Sequence, residues 1–380
     1  MIAFFAVALA LITFWLHRRL VRAPRPPRPA SVVIDVALVV LWALAVLGIA
    51  TGRVLDPATF RPAASVGLTW LATVFYLVLG LAVVGIGSLI TRGVLRLTGA
   101  AERGAAGRLL GLRIATVVVV AGAVSVTIYG VVEANSPKVT HTRVELADLP
   151  EEFDGMRVAL ISDLHIGPAR DRDFASRIVE LVDAEQPDLI AVGGDLTDGT
   201  VAKVGDEIAP LAGLRAPLGV FGVSGNHEYY SDDGGRWLDE WDALGIHTLR
   251  NQRVEIARGD GRIDVAGIYD ATAPEPYEPD LGKALEGQEP GRFTLLLAHQ
   301  PKQAIEASDH GVDLQLSGHT HGGQLWPIRY LVPLQQPSVT GLDRIGTTTL
   351  YTTRGAGAWG PPVRVGAPPE VTILELRRAP

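Results

Sequence analysis

The chain has 380 residues, and its positive mean hydropathy of +0.24 indicates a strongly apolar region beside an ordinary domain. It contains no cysteine, which excludes disulfides, cysteine-based zinc sites and thiol nucleophiles. The net charge of -7 argues against a nucleic-acid-binding surface, because such a surface is a basic patch.

Apolar segments in the first third of the chain predict a membrane region. Residues 32–50 are apolar apart from Asp35, and residues 66–90 and 114–132 carry no charge. A transmembrane helix needs about 20 apolar residues, so each of these three segments is long enough to span a bilayer. Residues 1–16 are marginal and predict either a short span or an interfacial helix.

The first apolar segment is not a typical signal peptide, because its arginines follow the apolar run instead of preceding it. We therefore expect a membrane region over residues 1–132 with three to four transmembrane helices. A polar linker is predicted over residues 133–150.

The distribution of arginine predicts the orientation in the membrane. Five arginines lie in residues 17–30 and five more in residues 91–113, whereas residues 51–65 contain only two. Because positively charged loops remain in the cytoplasm, everything after Glu133 is expected on the extracytoplasmic side. The opposite orientation, with a cytoplasmic domain, stays open as an alternative.

The pattern after residue 150 changes to short apolar runs separated by glycine-rich or acidic turns. A helix is predicted over residues 171–185, where Phe174, Ile178 and Val182 have helical spacing. Strands and helix alternate, which predicts an α/β domain over residues 151–380. Buried strands are predicted at residues 157–161, 188–192, 220–223, 293–298 and 312–316.

Each predicted strand is followed by side chains that can bind a metal ion. They are Asp163 and His165, then Asp195, then Asn226 and His227, then His299, and finally His319 and His321. Open α/β sheets bind ligands beyond the carboxyl ends of their strands. Carboxylates and imidazoles are ligands of divalent transition metals. One such motif could be an ordinary turn, but five in this order indicate a metal site.

This series of motifs resembles the calcineurin-like metallophosphoesterase superfamily. The motifs are Asp163-x-His165, Gly194-Asp195, Gly225-Asn226-His227-Glu228, His299 and Gly318-His319-x-His321. The tail resembles the bacterial membrane-associated branch of YkuE- and YaeI-type phosphodiesterases, on the motifs Gly355-Ala356-Gly357 and Pro361-Pro362-Val363-Arg364. The resemblance excludes the membrane segments. It implies two packed β-sheets flanked by helices, with a two-metal centre at one end.

The resemblance also implies a ligand set. One metal ion would be held by Asp163, His165, Asp195 and His321, and the second by Asp195, Asn226, His299 and His319. Asp195 would bridge two divalent ions, with Mn, Fe or Zn expected. Two such ions about 3.5 to 4 Å apart share a water, and the resulting hydroxide attacks phosphorus.

His227 is expected to stabilise the transition state or protonate the leaving oxygen. Its alternative role is to orient a neighbouring carboxylate such as Glu228. Asp198 and Gln324 are expected to surround the ligands. Seven aromatic residues could line a substrate site, although most are expected in packing or on a membrane-proximal surface: Tyr229, Tyr230, Trp237, Trp241, Trp326, Tyr330 and Trp359.

The expected function is that of a membrane-bound phosphoesterase, with phosphodiesterase activity favoured, whose site faces the extracytoplasmic side. Its substrate would be a phosphate ester or pyrophosphate at or near the bilayer, including lipid-linked or cell-envelope phosphates. The alternative is a membrane-anchored sensor or scaffold that binds metal without turnover.

Overall fold

The computed structural model of the protein describes residues 2–99 and 104–379. Within these residues, four helices are long and apolar enough to cross a membrane. They are α1 (Ile2–His17), α2 (Arg28–Ala50), α3 (Pro57–Leu97) and α4 (Ala105–Ala134). The marginal first segment becomes a 21-residue candidate span, because α1 continues as a π-helix over Arg18–Arg22.

Two predicted loops are largely helical, which corrects the boundaries drawn from hydropathy. Helix α3 begins at Pro57, where the Asp56 side chain caps it by accepting a hydrogen bond from the Ala58 amide. It runs 41 residues to Leu97, and polar residues beyond an apolar run do not end a helix. Glu102 and Arg103, which belong to the predicted loop over residues 91–113, lie outside the described residues.

Helices α2, α3 and α4 are antiparallel neighbours that approach closely. A Cβ on Gly67 of α3 would lie 2.0 Å from the Leu44 carbonyl oxygen of α2, so this contact requires glycine. The Thr73 hydroxyl of α3 hydrogen-bonds the Thr127 hydroxyl of α4 at 3.1 Å. At one end of the bundle, Arg113 donates to the Pro24 carbonyl, which brings the arginine-rich segments together.

The remainder of the described chain contains two six-stranded sheets. The strands of the first sheet are β1 (Lys138–Leu146), β2 (Arg157–Ile161), β3 (Leu189–Val192), β4 (Val220–Gly222), β5 (His247–Thr248) and β12 (Glu370–Arg378). Their order across the sheet is β1-β12-β2-β3-β4-β5.

The strands of the second sheet are β6 (Gln252–Arg258), β7 (Gly261–Gly267), β8 (Thr294–Leu297), β9 (Leu314–Ser317), β10 (Gly341–Ile345) and β11 (Thr348–Thr352). Their order across the sheet is β10-β11-β9-β8-β7-β6. All five predicted strands are present.

Alternating residues of each strand enter different cores. In β2, Val158 and Leu160 pack between the sheets, whereas Ala159 and Ile161 face the helices outside the first sheet. The central core joins side chains of both sheets, which makes the domain a sandwich. The predicted fold class, two packed sheets flanked by helices and preceded by helices able to span a membrane, is confirmed.

Short helices cover the outer faces of both sheets. The first sheet is covered by α5 (Arg172–Asp183), α6 (Val201–Val204), a 3₁₀ segment (Gly205–Gly213) and α8 (Gly234–Ala243), with α7 (His227–Ser231) at its edge. The second sheet is covered by α9 (Leu281–Ala284) and α10 (Ala304–Asp309). Further 3₁₀ turns are Glu151–Phe153, Pro301–Gln303, His321–Gly323, Ile328–Tyr330 and Val332–Leu334.

The predicted linker over residues 133–150 contains the end of α4 and strand β1. This strand pairs in parallel with β12 over its whole length, from Lys138 opposite Glu370 to Leu146 opposite Arg378. Its polar sequence reflects an edge position, where only Val144 and Leu146 are buried. The division of the chain at residues 132 and 150 remains a prediction.

Candidate metal centre

The side chains predicted to bind metal meet at one edge of the sandwich. Strands β2, β3 and β4 are parallel, as are β8 and β9, so the loops after each set emerge together. The first sheet supplies Asp163, His165, Asp195, Asn226 and His227, and the second supplies His299, His319 and His321. The His319 amide joins the two sets by donating to the Asp163 carboxylate at 3.1 Å.

The first set of potential ligands contains Asp163, His165 and His321, all buried. Their ligand atoms lie within 4.8 Å of one another. The Nε2 atoms of His165 and His321 face each other at 3.1 Å, and Oδ1 of Asp163 lies 3.2 Å from His321 Nε2. This arrangement matches the first predicted ligand set, with Asp195 Oδ2 3.9 Å from His165 Nε2.

The second set contains Asp195, His299 and His319, whose ligand atoms also lie within 4.8 Å of one another. Oδ2 of Asp195 is 3.2 Å from His299 Nε2. Asn226 belongs here as well, because its side-chain oxygen is 2.9 Å from His319 Nδ1. The structure therefore brings together all seven predicted ligands, with Asp195 between the two sets. Their assignment to individual ions remains a prediction.

The hydrogen bonds of two imidazoles show which of their nitrogen atoms can face a bound cation. His299 Nδ1 lies 2.6 Å from the Gly193 carbonyl and donates to it, so Nε2, which faces Asp195, is the nitrogen that can bind a metal ion. Nε2 of His299 is buried and has no hydrogen-bond partner within the described chain. His165 Nδ1 likewise contacts the Asp198 carboxylate at 3.1 Å. Lone pairs and carboxylates that face one another suit bound divalent metal ions.

Backbone strain concentrates on the same residues. Asp163, His165, Asp195, His319 and His321 have φ values of 57°, 51°, 52°, 69° and 51°, in the left-handed region that residues other than glycine rarely adopt. Such conformations cost of the order of 1 kcal/mol or more each and persist where the surrounding structure imposes them. Their presence at five predicted ligands indicates that ligand geometry outweighs local backbone preference.

Two glycines allow the loops to close around the buried carboxylates. A Cβ on Gly225 would lie 2.2 Å from Asp195 Oδ1, and a Cβ on Gly318 would lie 2.3 Å from Asp163 Oδ2. Neither position has space for any side chain.

Glu228 holds two of the loops that carry candidate ligands together. Its buried carboxylate accepts hydrogen bonds from the amides of Asp195, Leu196 and Gly225, at 3.0, 2.9 and 2.8 Å. Burial and the nearby charge of Asp195 raise the pKa of Glu228 to about 8.

His227 is oriented by Asp198 instead. Its Nδ1 lies 2.5 Å from Asp198 Oδ1, and its amide donates to Asp195 Oδ1 at 2.7 Å. Burial alone would lower the pKa of His227, but the carboxylates of Asp195 and Asp198 raise it to about 9. A raised pKa favours the protonated ring that a general acid requires.

Arg364 contacts a metal-ligand candidate and was not predicted as a site residue. Its Nη1 donates to the His321 carbonyl, and its Nη2 lies 3.0 Å from His321 Nδ1. Burial, followed by the charge of Arg170, lowers the pKa of Arg364 to about 9. The sequence does contain a signal for this residue, because Arg364 is the one charged residue of the segment Pro-Pro-Val-Arg-Val.

Asp270 was missed because strand β7, which precedes it, was not predicted. This buried carboxylate accepts a hydrogen bond from the Gln300 side chain, next to His299. Gln324, expected near the ligands, instead fixes the tail by donating to the Trp359 carbonyl at 2.9 Å.

The aromatic residues divide between core and surface. Trp237 and Trp241 are completely buried behind the first sheet. Tyr230 and Trp359 flank the candidate acid, with ring centroids 5.1 and 6.2 Å from that of His227. These two half-exposed rings are the ones placed to meet a substrate.

The membrane region also borders the site, through the turn between α2 and α3 (residues 51–56). The Gly52 carbonyl accepts a hydrogen bond from the Thr200 amide at 2.9 Å, and a Cβ on Gly52 would lie 2.5 Å from the Asp198 carbonyl. Arg53 donates to the Ser231 hydroxyl at 2.9 Å. The loop that orients His227 therefore touches the membrane bundle.

Comparison with known proteins gives the same assignment for this domain. A family model described as calcineurin-like phosphoesterase matches residues 156–323. A metallophosphoesterase of Aquifex aeolicus is 30% identical over 255 residues, which are 66% of this chain and 95% of the relative. The metallophosphoesterase YkuE of Bacillus subtilis is 29% identical over 258 residues, 64% of this chain and 87% of its own.

One relative combines such a domain with a membrane region. A zebrafish (Danio rerio) protein called transmembrane protein with metallophosphoesterase domain is 36% identical over 263 residues, 66% of this chain and 60% of its own. The chain likewise spans only 64% of the length of two Helicobacter pylori relatives.

Proposed function

The chain belongs to the calcineurin-like metallophosphoesterase family, and on that premise we propose that it hydrolyses a phosphate ester with the help of two divalent metal ions. The observation that carries this proposal is the pair of ligand sets that share Asp195. When bound, two ions of the Mn, Fe or Zn type would polarise the phosphoryl oxygens and activate a water nucleophile.

The side chains divide the remaining work. Asp163, His165 and His321 would hold one ion, while Asn226, His299 and His319 would hold the other, with Asp195 common to both. Asp198 keeps His227 in one orientation through Nδ1, which leaves Nε2 to deliver its proton to the leaving oxygen. The rings of Tyr230 and Trp359 beside His227 would contact the leaving group.

The position of the domain at one end of the helical bundle supports a proposal about its substrate. We propose a phosphodiester or pyrophosphate at or near the bilayer, on the extracytoplasmic side. Support for this side comes from the bundle, in which the domain packs at the end opposite the arginine-rich segments around Pro24 and Arg113. A reporter enzyme that is active only outside the cytoplasm, fused after residue 380, tests the orientation, and an inactive reporter would contradict it.

Hydrolysis by the full-length protein in detergent with Mn²⁺ tests the activity. We expect turnover of bis-p-nitrophenyl phosphate and a smaller rate with p-nitrophenyl phosphate. Asp195→Asn should reduce the rate about a thousandfold or more, since metal ions stabilise transition-state charge by several kcal/mol. Asp260→Asn, on an exposed turn, is the matched control.

The alternative function is a metal-binding scaffold without turnover. The contact of His227 with Asp198 and its place beside two aromatic rings favour catalysis over this alternative. Two bound metal ions per chain without hydrolysis of either compound would favour the scaffold.

A further inference from the structure

An exposed apolar segment begins five residues after the candidate ligand His321. We call residues 326–334 the lip. Four of its large side chains are more than half exposed: Trp326 at 53%, Tyr330 at 66%, Leu331 at 61% and Leu334 at 80%. Between Gln324 and Thr340 the only charged residue is Arg329. Water-soluble surfaces rarely expose such a contiguous apolar group, so the lip requires a partner.

The lip is continuous with the contact between the domain and the membrane helices. Leu325 and Ile328 belong to one hydrophobic cluster with Ala72 and Phe75 of α3. The cluster also contains Val363 of the tail and Val131 of α4. The exposed side chains therefore begin where a buried contact with transmembrane-capable helices ends.

The depth of this contact can be read from the helices. Thr73 and Thr127 are hydrogen-bonded and so lie at the same level of the bundle. Arg113 marks the arginine-rich end, and it lies 14 residues from Thr127, or about 21 Å at 1.5 Å per residue. A hydrocarbon core is about 30 Å thick, so the level of Thr73 falls about 9 Å inside its opposite face.

Ala72, next to Thr73, belongs to the same cluster as Leu325, the residue before the lip. From that level the lip can extend toward the membrane interface, and its composition suits the interface because tryptophan, tyrosine and arginine are enriched there. Leucines one turn away would extend into the acyl chains.

We propose that the lip is a membrane-docking surface and that its partner is the lipid bilayer on the side of the catalytic domain. The lip dips into the interface of that leaflet with Leu331 and Leu334 toward the acyl chains. Gln324, two residues before the lip, donates to the Trp359 carbonyl, and the Trp359 ring lies beside that of His227. Docking of the lip therefore sets the metal centre against the lipid headgroups.

The lack of cysteine in the chain allows a direct test with nitroxide labels. Single variants Leu331→Cys, Leu334→Cys and Asp260→Cys of the full-length protein are labelled and reconstituted in phosphatidylcholine vesicles. Asp260 is the control, because its neighbours Gly259 and Gly261 lie beside Glu152. Glu152 follows β1, a strand about 30 Å long that begins just after α4.

The measurement is the accessibility of each label to oxygen, which partitions into lipid, and to a water-soluble nickel chelate. We expect labels at 331 and 334 to favour oxygen and the label at 260 to favour the chelate. Chelate-accessible labels at both lip positions would overturn the proposal.

Hydrolysis of bis-p-nitrophenyl phosphate by the same vesicles distinguishes the proposed function from the proposed docking surface. A chain that hydrolyses nothing but has lipid-facing labels would refute the proposed function and support the docking surface. Normal hydrolysis with chelate-accessible lip labels would do the reverse.

Discussion

The metal centre and the junction with the membrane bundle are built from different parts of the chain. In the centre, side chains make the decisive contacts, as in the 3.2 Å approach of His299 to Asp195. In the junction, main-chain carbonyls accept some of the hydrogen bonds: Gly52 from Thr200, and Gly130 of α4 from the Arg364 amide. Side chains add the contacts of Arg53 with Ser231 and of Arg61 with Glu207. A substitution in the centre therefore removes a contact, whereas a substitution at Gly52 or Gly130 leaves the carbonyl acceptor in place.

This difference predicts a gradient of effects from the centre outward. Changes in the centre should abolish function, and changes in the junction should only weaken it.

Removal of metal should have the largest effect on the metal centre and no effect on the junction with the membrane bundle. Chelation with EDTA is expected to lower hydrolysis more than about a thousandfold, since several kcal/mol of charge stabilisation are lost. Mn²⁺ should restore the rate in the native chain but not in Asp195→Asn. The helical circular dichroism of the bundle should not change, and undiminished hydrolysis without metal would contradict a metal-dependent reaction.

His227→Asn tests the candidate acid without removing a ligand. We expect a loss of about 10²- to 10⁴-fold in kcat for a substrate with an alkyl leaving group, because proton transfer to the leaving oxygen is lost. The loss should be smaller for p-nitrophenyl esters, whose leaving group needs little protonation. Metal content should stay at the native value, and His247→Asn, at an exposed strand position, is the matched control. Equal losses for both leaving groups would argue against the acid role.

Asp198→Asn tests the residue between the centre and the junction. Loss of the carboxylate that orients His165 and His227 should cost about 10- to 100-fold in activity or metal affinity. Metal titration followed by hydrolysis separates the two effects. The exposed Asp206→Asn should behave like the native chain, and an Asp198→Asn rate within twofold of native would show that orientation is unimportant.

Gly52→Ala tests the junction itself. The new Cβ would meet the Asp198 carbonyl at 2.5 Å, and φ at Gly52 is +85°. Gly99→Ala is a matched control, because Gly99 has a φ of +67° with open space around its Cβ position. We expect Gly52→Ala to destabilise by about 1–3 kcal/mol and to reduce hydrolysis severalfold, beyond any effect of Gly99→Ala. Thermal melting measures the difference, and identical melting temperatures would mean that the junction is not tight.

Sequence reasoning predicted much of the centre because its signals are local. An apolar run followed by Asp163 and His165 identifies both a strand and the ligands after it. Each of the five predicted strands is short and apolar, as buried parallel strands are.

Other elements carried no such local signal. Strand β1 is polar because it lies at an edge, and β5 has only two residues, so neither has a recognisable pattern. The junction escaped prediction because main-chain acceptors such as that of Gly130 are present in every residue type. Arg364 became visible only when the fold placed its guanidinium beside His321.

The position of β12 has a consequence for biosynthesis. This strand, Glu370–Arg378, lies between β1 and β2, so the first sheet stays divided until the ribosome has made it. The four apolar helices emerge long before that, so we expect their insertion into the membrane to precede folding of the domain. We expect ribosome-arrested chains that end before residue 370 to be integrated in the membrane yet protease-sensitive beyond residue 150. A protease-resistant domain in such chains would show that β1 and β2 find a stable arrangement without the strand that separates them.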